Sequence, residues 1–489
     1  QRMACCTRHF RVTIRAFLIV VLARSVVVVH SQGDVDGRTE LAAFFGSKSS
    51  YDVAQKYQKV PGKVAPMCAG AEAVSVWALI RHGSRCPTKR RLQSIRRLEG
   101  KLGQSATRGP CSAEDAGHLT PEGAVEMYAL GERLRGRLQT LLQMPYSHRA
   151  YDIRSTHKPR ALQSAHAFVT GLFEGTGNLG LHGMQAVAIE GSKTPLLYFH
   201  KTCPNYQKHK HVLQQDPLSE VNIFERTRLG EVQARVAKKL QLPDLTMEGL
   251  HAAWTACEFG HPTLCAGFSR DDAEMLEFYS DLSNYWLKGH GHPINYEMSV
   301  HLVEDLREVL GRALTNDSSR TASLRFAHAE TLMPFLSFLG MYKDPEPLRA
   351  SDSLQRIRKR LWDSSMLPFA SNLQITIAKC PGHDMHVVEA MHNEIVVPIP
   401  GCGSSTSLCS VRQWHDLLSS ELSQHSFDDI CTEHSNNDDR TFNATADGIL
   451  ERDDDAQHEQ IVDEVIGNIV VGGFTLGLAF AMWSLCAAP

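Results

Sequence analysis

The segment Val74-Ser75-Val76-Trp77-Ala78-Leu79-Ile80-Arg81-His82-Gly83-Ser84-Arg85-Cys86-Pro87-Thr88 sets the reading of the whole chain. Val74–Ile80 is a short apolar run with Val and Trp, the pattern of a buried strand. It stops at Arg81-His82-Gly83, and a basic helix is predicted after Pro87, from Thr88 to about Leu98. In an open α/β sheet, ligands bind outside the carboxyl ends of the strands. Arg81, His82 and Arg85 would sit at such an edge.

The same strand-to-helix transition recurs. One begins near Tyr151 and runs through Arg154 into a helix from about Pro159 to Gly171. Another has Ser323–Ala327 as strand, His328-Ala329-Glu330 at the junction, and a helix to Gly340. Thr120-Pro121 reads as an N-cap followed by proline in the first turn, opening a helix with an apolar stripe of Val125, Tyr128, Leu134 and Leu138. Late strands are predicted at Leu373–Ala378 and Ile395–Pro398. Strands alternating with helices imply an α/β fold, a mainly parallel sheet flanked on both faces by helices. Between 180 and 316 helical signals such as Ser219–Leu240 and Arg270–Leu287 replace strand signals, which predicts an inserted all-helical subdomain. The α/β domain is then discontinuous, 40–179 and 317–426.

Of 489 residues, 43% are hydrophobic and 21% charged, with 51 Lys and Arg against 54 Asp and Glu. That composition excludes bulk disorder, collagen and coiled coil. The charges are segregated: residues 1–24 carry five Arg and no acid, residues 427–464 carry 13 acids against Arg440 and Arg452, and the body between is mildly basic. Such a body suits a small anionic ligand better than nucleic acid, which requires a concentrated basic stripe.

The ends look like targeting sequence. Arg2, Arg8, Arg11 and Arg15 precede the apolar run Ala16–Ala23, so 1–32 reads as a signal peptide or signal-anchor. Residues 427–464 form an acidic spacer. The uncharged tail 465–489 is long enough for a glycolipid-anchor signal or a membrane span. Ten cysteines lie between these ends, with glycosylation sequons at Asn316 and Asn443. The expectation is a disulfide-bonded, N-glycosylated protein of the secretory pathway, anchored to membrane in the endoplasmic reticulum lumen or on the outer face of the plasma membrane. Cys257/Cys265 and Cys402/Cys409 are close enough for local bridges, whereas Cys86, inside the main motif, is a candidate free thiol.

The chemistry follows from the cluster at the strand ends. His82 between Arg81 and Arg85 is a poor structural choice, because two fixed positive charges disfavour its protonation and three buried polar groups need partners. A phosphate reverses that cost. Each guanidinium can bind phosphate oxygens through charge-assisted hydrogen bonds, each worth about 1.5–3 kcal/mol. Neutral His82 can then attack phosphorus and form a covalent intermediate. Gly83 is expected to let the backbone pass close to the ligand. Arg154, at an equivalent strand end, offers a third guanidinium for the equatorial oxygens. His328-x-Glu330 would suit a metal, but no further ligand cluster or CxxC accompanies it, so no metal or cofactor is expected. Glu330 is then the residue placed to protonate the leaving oxygen and later activate water, with His328 a further donor to the phosphate. His290, His292 and His383–His386 read as surface histidines.

From about Cys68 to Trp414 the chain resembles the histidine acid phosphatases, and within them the multiple inositol polyphosphate phosphatase branch. The RHGxRxPT motif stands as Arg81 to Thr88, the RST…RALxSA segment as Arg154-Ser155-Thr156 through Arg160 to Ala165, and the LTxxG…LG helix around Thr120 to Gly131. Pro368 to Asn372 and His392-Asn393-Glu394 match later landmarks. His328-Ala329-Glu330 is similar to the inositol polyphosphate branch, where most other members carry His-Asp; the segment Tyr279–Gly291, with Lys288-Gly289, also looks like that branch. The resemblance implies His82 as nucleophile, Arg81, Arg85, Arg154 and His328 as the phosphate pocket, and Glu330 as proton donor. Thr88, Lys89 and Arg90, on the basic helix behind the motif, are expected to reach the outer phosphates of a polyphosphate. The implied activity is removal of phosphates from inositol hexakisphosphate and lower inositol polyphosphates through a phosphohistidine, with 2,3-bisphosphoglycerate as a side substrate. The alternatives are a broad-specificity acid phosphatase and a catalytically dead, membrane-anchored binding protein.

Overall fold

The structure is a computed structural model and describes residues 38–57, 67–103, 108–317, 319–381, 385–403 and 408–432. The signal-like segment 1–32, most of the acidic spacer, Asn443 and the apolar tail 465–489 lie outside the described residues. Among the described residues no helix is long and apolar enough to cross a membrane, so nothing there supports the expected anchor.

Among the described residues eight strands form one sheet: β1 Glu72–Arg81, β2 Tyr151–Thr156, β3 Glu190–Ser192, β4 Ala322–Ala327, β5 Asn372–Lys379, β6 His386–His392, β7 Ile395–Val397 and β8 Cys409–Ser410, in the order β3-β2-β4-β1-β5-β6-β7 with β8 beside β6. From β3 to β1 every pairing is parallel; β5 turns back against β1, and β6, β7 and β8 continue antiparallel. The sheet is thus mixed. Its parallel half is where helical crossovers separate the strands, and its antiparallel half is where short connections suffice. β6, not anticipated, begins at His386, and β3 falls in the segment expected to be helical throughout.

Among the described residues the helices of eight or more residues are α1 Lys89–Leu102, α2 Pro121–Arg137, α3 Pro159–Phe173, α4 Pro195–Thr202, α5 Pro204–Gln215, α6 Glu220–Lys239, α7 Met247–Glu258, α8 Arg270–Lys288, α9 Val300–Leu314, α10 Ala329–Phe338 and α11 Val411–Leu422. Alternation along β1 assigns the two faces. Val76, Ala78 and Ile80 pack with Met127, Leu130 and Leu134 of α2 and Phe168 and Leu172 of α3. Trp77 and Leu79 face the opposite core, which holds Phe335 of α10 together with Phe224, Leu250, Leu282 and Leu306 from α6 to α9. The helical segment therefore roofs one face of the sheet and shares its core.

Two local expectations are corrected. Thr120 does cap α2, its Oγ1 accepting from Gly123 N at 3.1 Å, but the buried stripe passes through Met127, Leu130 and Leu134, and Val125 is 66% exposed. Cys86 is not a free thiol: it is bonded to Cys111. All ten cysteines between the terminal segments pair, the others as Cys68–Cys380, Cys203–Cys431, Cys257–Cys265 and Cys402–Cys409. Cys68–Cys380 and Cys203–Cys431 tie residues far apart in sequence.

Candidate active site

Because β1, β2 and β4 are parallel, Arg81, Thr156 and Ala327 end at one edge of the sheet. His82 N donates to Ala327 O at 3.0 Å and Ala370 N donates to His82 O at 3.0 Å, so the residue is held between the end of β4 and the approach to β5. His82 is 3% exposed. Nδ1 lies 2.9 Å from the Gly83 carbonyl, and since a carbonyl only accepts, Nδ1 carries the proton and Nε2 keeps its lone pair. Burial first, then the charges of Arg160 and Arg81, hold the imidazole well below its usual range. It is neutral.

The loop after His82 is fastened to the start of α2. A Cβ at Gly83 would overlap the Gly123 carbonyl oxygen, so glycine here admits helix backbone, not a ligand as expected. Ser84 donates from N and Oγ to the two carboxylate oxygens of Glu126, at 2.8 and 2.9 Å. Thr120 N donates to Ser84 O at 2.9 Å, Cys86 N donates to His118 O at 3.0 Å, and the Cys86–Cys111 bond closes the far side. The loop carrying Arg85 cannot drift.

Around His82 the positive charges converge. Arg81, 2% exposed, donates through Nη1 to Ser47 O and Leu367 O, both at 2.6 Å, and lies over the Phe369 ring at 4.5 Å. Arg85 donates to Cys86 O at 2.7 Å. The Nε atoms of both are buried with no hydrogen-bond partner, as is Nδ1 of His328. His328, 3% exposed, has Nε2 2.9 Å from Thr156 Oγ1 and its ring 5.4 Å from that of His82. Burial and then Arg160 push His328 and Arg85 down; Arg81, pushed down by burial to about 10, stays charged at neutral pH.

Arg160, in the first turn of α3, is thus the third guanidinium of the cluster, and Arg154 is not. Arg154 Nε pairs with Asp152 Oδ1 at 3.0 Å and approaches Glu190 Oε2 at 3.6 Å, with 39% of its side chain exposed. It sits opposite Arg325 in the register, two residues before β2 ends, some 6–7 Å below the edge at about 3.3 Å per residue.

Glu330 lies in the first turn of α10, 3.1 Å from Lys288 Nζ at the end of α8. Against the burial that would raise it, Lys288, His200 and His328 hold the carboxyl well below its usual range. His200 on α4, 5% exposed and pushed down by burial to about 3, is itself neutral, as is His328, so Lys288 carries the effect. Thr88 caps the backbone of α1 without a side-chain bond; Lys89 and Arg90 follow it, exposed. The α1 charge that reaches Arg85 is Arg91, which with burial also depresses Lys48, beside Glu258. Arg160, His200, Lys288 and Lys48 were not singled out for the site from sequence. Arg160 and Lys288 stood inside quoted segments without a site role; His200 and Lys48 reach the cluster only through the fold. His290 and His292 are half-buried, His290 Nε2 lying 2.9 Å from Met341 O.

A family model described as the histidine phosphatase superfamily (branch 2) matches residues 74–393. The chain belongs to that superfamily. Multiple inositol polyphosphate phosphatase 1 of Gallus gallus is 29% identical over 375 residues, covering 70% of this chain and 81% of that protein. The Homo sapiens protein of the same name is 28% identical over 408 residues, 74% and 83% of the two chains. The enzyme is a histidine acid phosphatase of the multiple inositol polyphosphate phosphatase type. In fold it is similar to the phytase from D. castellii (TM-score 0.65, 15% identity, 84% of this chain and 91% of that one). It is similar too to Bifidobacterium longum multiple inositol polyphosphate phosphatase in complex with inositol hexasulfate (TM-score 0.53, 18% identity, 78% and 98%). The matched residues of this phosphatase include His82, all three guanidinium groups, His328 and Glu330.

Proposed function

We propose that this phosphatase hydrolyses inositol hexakisphosphate and lower inositol polyphosphates through a phosphohistidine at His82, with 2,3-bisphosphoglycerate as a side substrate. The observation that carries the reading is a neutral imidazole, with its Nε2 lone pair retained, set among the buried Arg81 and the half-buried Arg85 and Arg160. His82 Nε2 attacks phosphorus and the ester P–O bond breaks opposite it. Glu330 gives its proton to the departing alkoxide oxygen. The Gly83 carbonyl, accepting from Nδ1–H, stabilises the cationic phosphoimidazole, while Arg81, Arg85 and Arg160 hold the equatorial oxygens where charge accumulates. Water then attacks phosphorus, Glu330 takes its proton, the P–N bond breaks, and orthophosphate leaves neutral His82 behind.

The substrate class rests on the names of the relatives and on the surplus of cations outside the reacting site. Lys48, Arg91 and Lys288, with Lys89 and Arg90 on the exposed start of α1, are more than one phosphate needs. Five disulfides and a solvent-exposed Asn316 support folding in the oxidising secretory pathway. Rapid quenching with radiolabelled hexakisphosphate should trap an acid-labile label on wild-type protein and none on His82→Ala. A strong preference for a small aryl phosphate in direct competition would leave a broad-specificity acid phosphatase instead.

A further inference from the structure

The end of α8 is fixed from three sides. Asn295, fully buried, donates through Nδ2 to the carbonyls of Trp286 and Gly289, at 3.0 and 3.1 Å. The Tyr206 hydroxyl donates to Leu287 O at 2.8 Å. Carbonyls that a helix end usually leaves to water are thus taken by side chains. Gly289 lies against Trp362 so closely that a Cβ would run into the indole ring. This scaffold aims one side chain, Lys288, at Glu330 Oε1. The pair is not a core bridge: 21% of the lysine and 40% of the glutamate side chain are exposed. An ion pair that open contributes little to stability, and so does not account for the anchoring around it.

The groups that face Glu330 are Lys288 from α8, His200 from α4, His328 from its own junction, and Arg81 and Arg85 from the β1 end. The two imidazoles are neutral and the two arginines belong to the scissile phosphate. Lys288 is the cation able to change partner.

We propose that Lys288 exchanges partners in the cycle, holding Glu330 as carboxylate in the empty site and turning to a second phosphate, on a ring position beside the scissile ester, when an inositol polyphosphate binds. This rests on the roles of His82 and Glu330 given above. Once Lys288 has turned, Glu330 loses its cation and gains anionic neighbours, and takes up the proton it must deliver. A monoester of a simple alcohol offers no second phosphate, so Lys288 stays where it is and the acid stays ionised. Polyphosphates are then favoured in turnover as well as in binding, the form of selectivity that raises kcat.

The test uses the full chain with inositol hexakisphosphate and glycerol 2-phosphate, whose leaving groups are both alkoxides. Profiles of kcat against pH report the enzyme–substrate complex. In wild type the alkaline limb should lie about one unit or more higher for hexakisphosphate, the size of shift an opposite charge at this distance causes. In Lys288→Met the glycerol 2-phosphate limb should rise to meet it, while KM for hexakisphosphate increases roughly tenfold and KM for glycerol 2-phosphate does not. Lys288→Arg, which keeps a cation, should restore the gap. A gap that persists in a folded Lys288→Met protein, or KM values that rise equally for both substrates, overturns the exchange and leaves the phosphohistidine reading intact. Wild-type protein that forms no phosphoenzyme overturns both.

Discussion

Two sets of buried arginines lie in this molecule, and they are treated in opposite ways. Arg360 is matched by Glu277, Asp281 and Asp363, and Arg325 by Asp152 and Asp305. Every charge there has been answered by the fold. Arg81 is as deeply placed and Arg85 is half-buried, yet among the described residues neither makes an ion pair, and each keeps an unbonded buried Nε. Burying a cation without a counter-charge costs several kcal/mol, so the second set is stable only because a rigid frame imposes it. A matched guanidinium serves the fold; an unmatched one, on the function proposed above, takes the anion.

The comparison breaks most visibly at His82, the group the unmatched set surrounds. His82→Ala should lower turnover by ~10⁴-fold or more while orthophosphate still raises the unfolding temperature; retained turnover refutes the nucleophile. Next, Arg85→Leu and Arg160→Ala should each cost on the order of 10²–10³ in kcat, as removal of a preorganised transition-state donor does. Arg85→Leu should leave the resistance of ligand-free protein to denaturant equal or higher. Arg360→Leu should do the reverse: it strands three buried carboxylates, and about 3–5 kcal/mol of stability should go. Equal destabilisation in the two leucine variants would erase the distinction drawn between the sets.

Acid should act unevenly too. His200 and His392 are both pushed down by burial to about 3. A folded-state pKa below the unfolded value of ~6.5 means the fold excludes the proton. The stability these groups contribute is therefore complete above about pH 6.5 and is lost as pH falls toward 3. At pH 5 each would cost about 2 kcal/mol, from 1.36 kcal/mol per unit over one and a half units. His392 is bonded to Tyr342 through Nδ1 at 2.5 Å, whereas His200 Nδ1 is buried without a partner. His200→Phe should therefore fold, and should lose roughly 2 kcal/mol less than wild type between pH 7 and pH 5 in urea unfolding.

What could be read without coordinates follows from where each part is encoded. Arg81, His82 and Arg85 were legible because strand, turn and charges are contiguous. So were the junctions at His328 and Glu330, and the two shortest disulfides. The antiparallel half of the sheet was not, since periodicity gives a strand without its direction. The pairing of Cys86 with Cys111, and the role of Gly83 as a seat for Gly123, depend on which segment packs against the motif loop. Lys288 and His200 enter the site from the helical roof, far along the chain; Lys288 stood in a segment that resembled the branch but carried no sign of its place in the site, and no local pattern marks His200.

Arg154 against Arg160 is the sharpest case, and the smallest expected effect. Six residues apart, both follow the same strand signal, and the choice between them turns on where β2 ends. Thr156 ends it, reaching His328, so Arg154 falls below the edge beside Asp152 and Arg160 comes round on the first turn of α3. Arg154→Ala removes a half-exposed pair with Asp152, which keeps Arg325 as a partner at 2.9 Å. Exposed pairs of this kind contribute about 0.2–1 kcal/mol, so stability should move by no more than that and kcat by less than about threefold, the rate equivalent of roughly 0.65 kcal/mol. A loss as large as that of Arg160→Ala would put Arg154 back among the phosphate ligands, and would mean that β2 ends two residues earlier in the working enzyme.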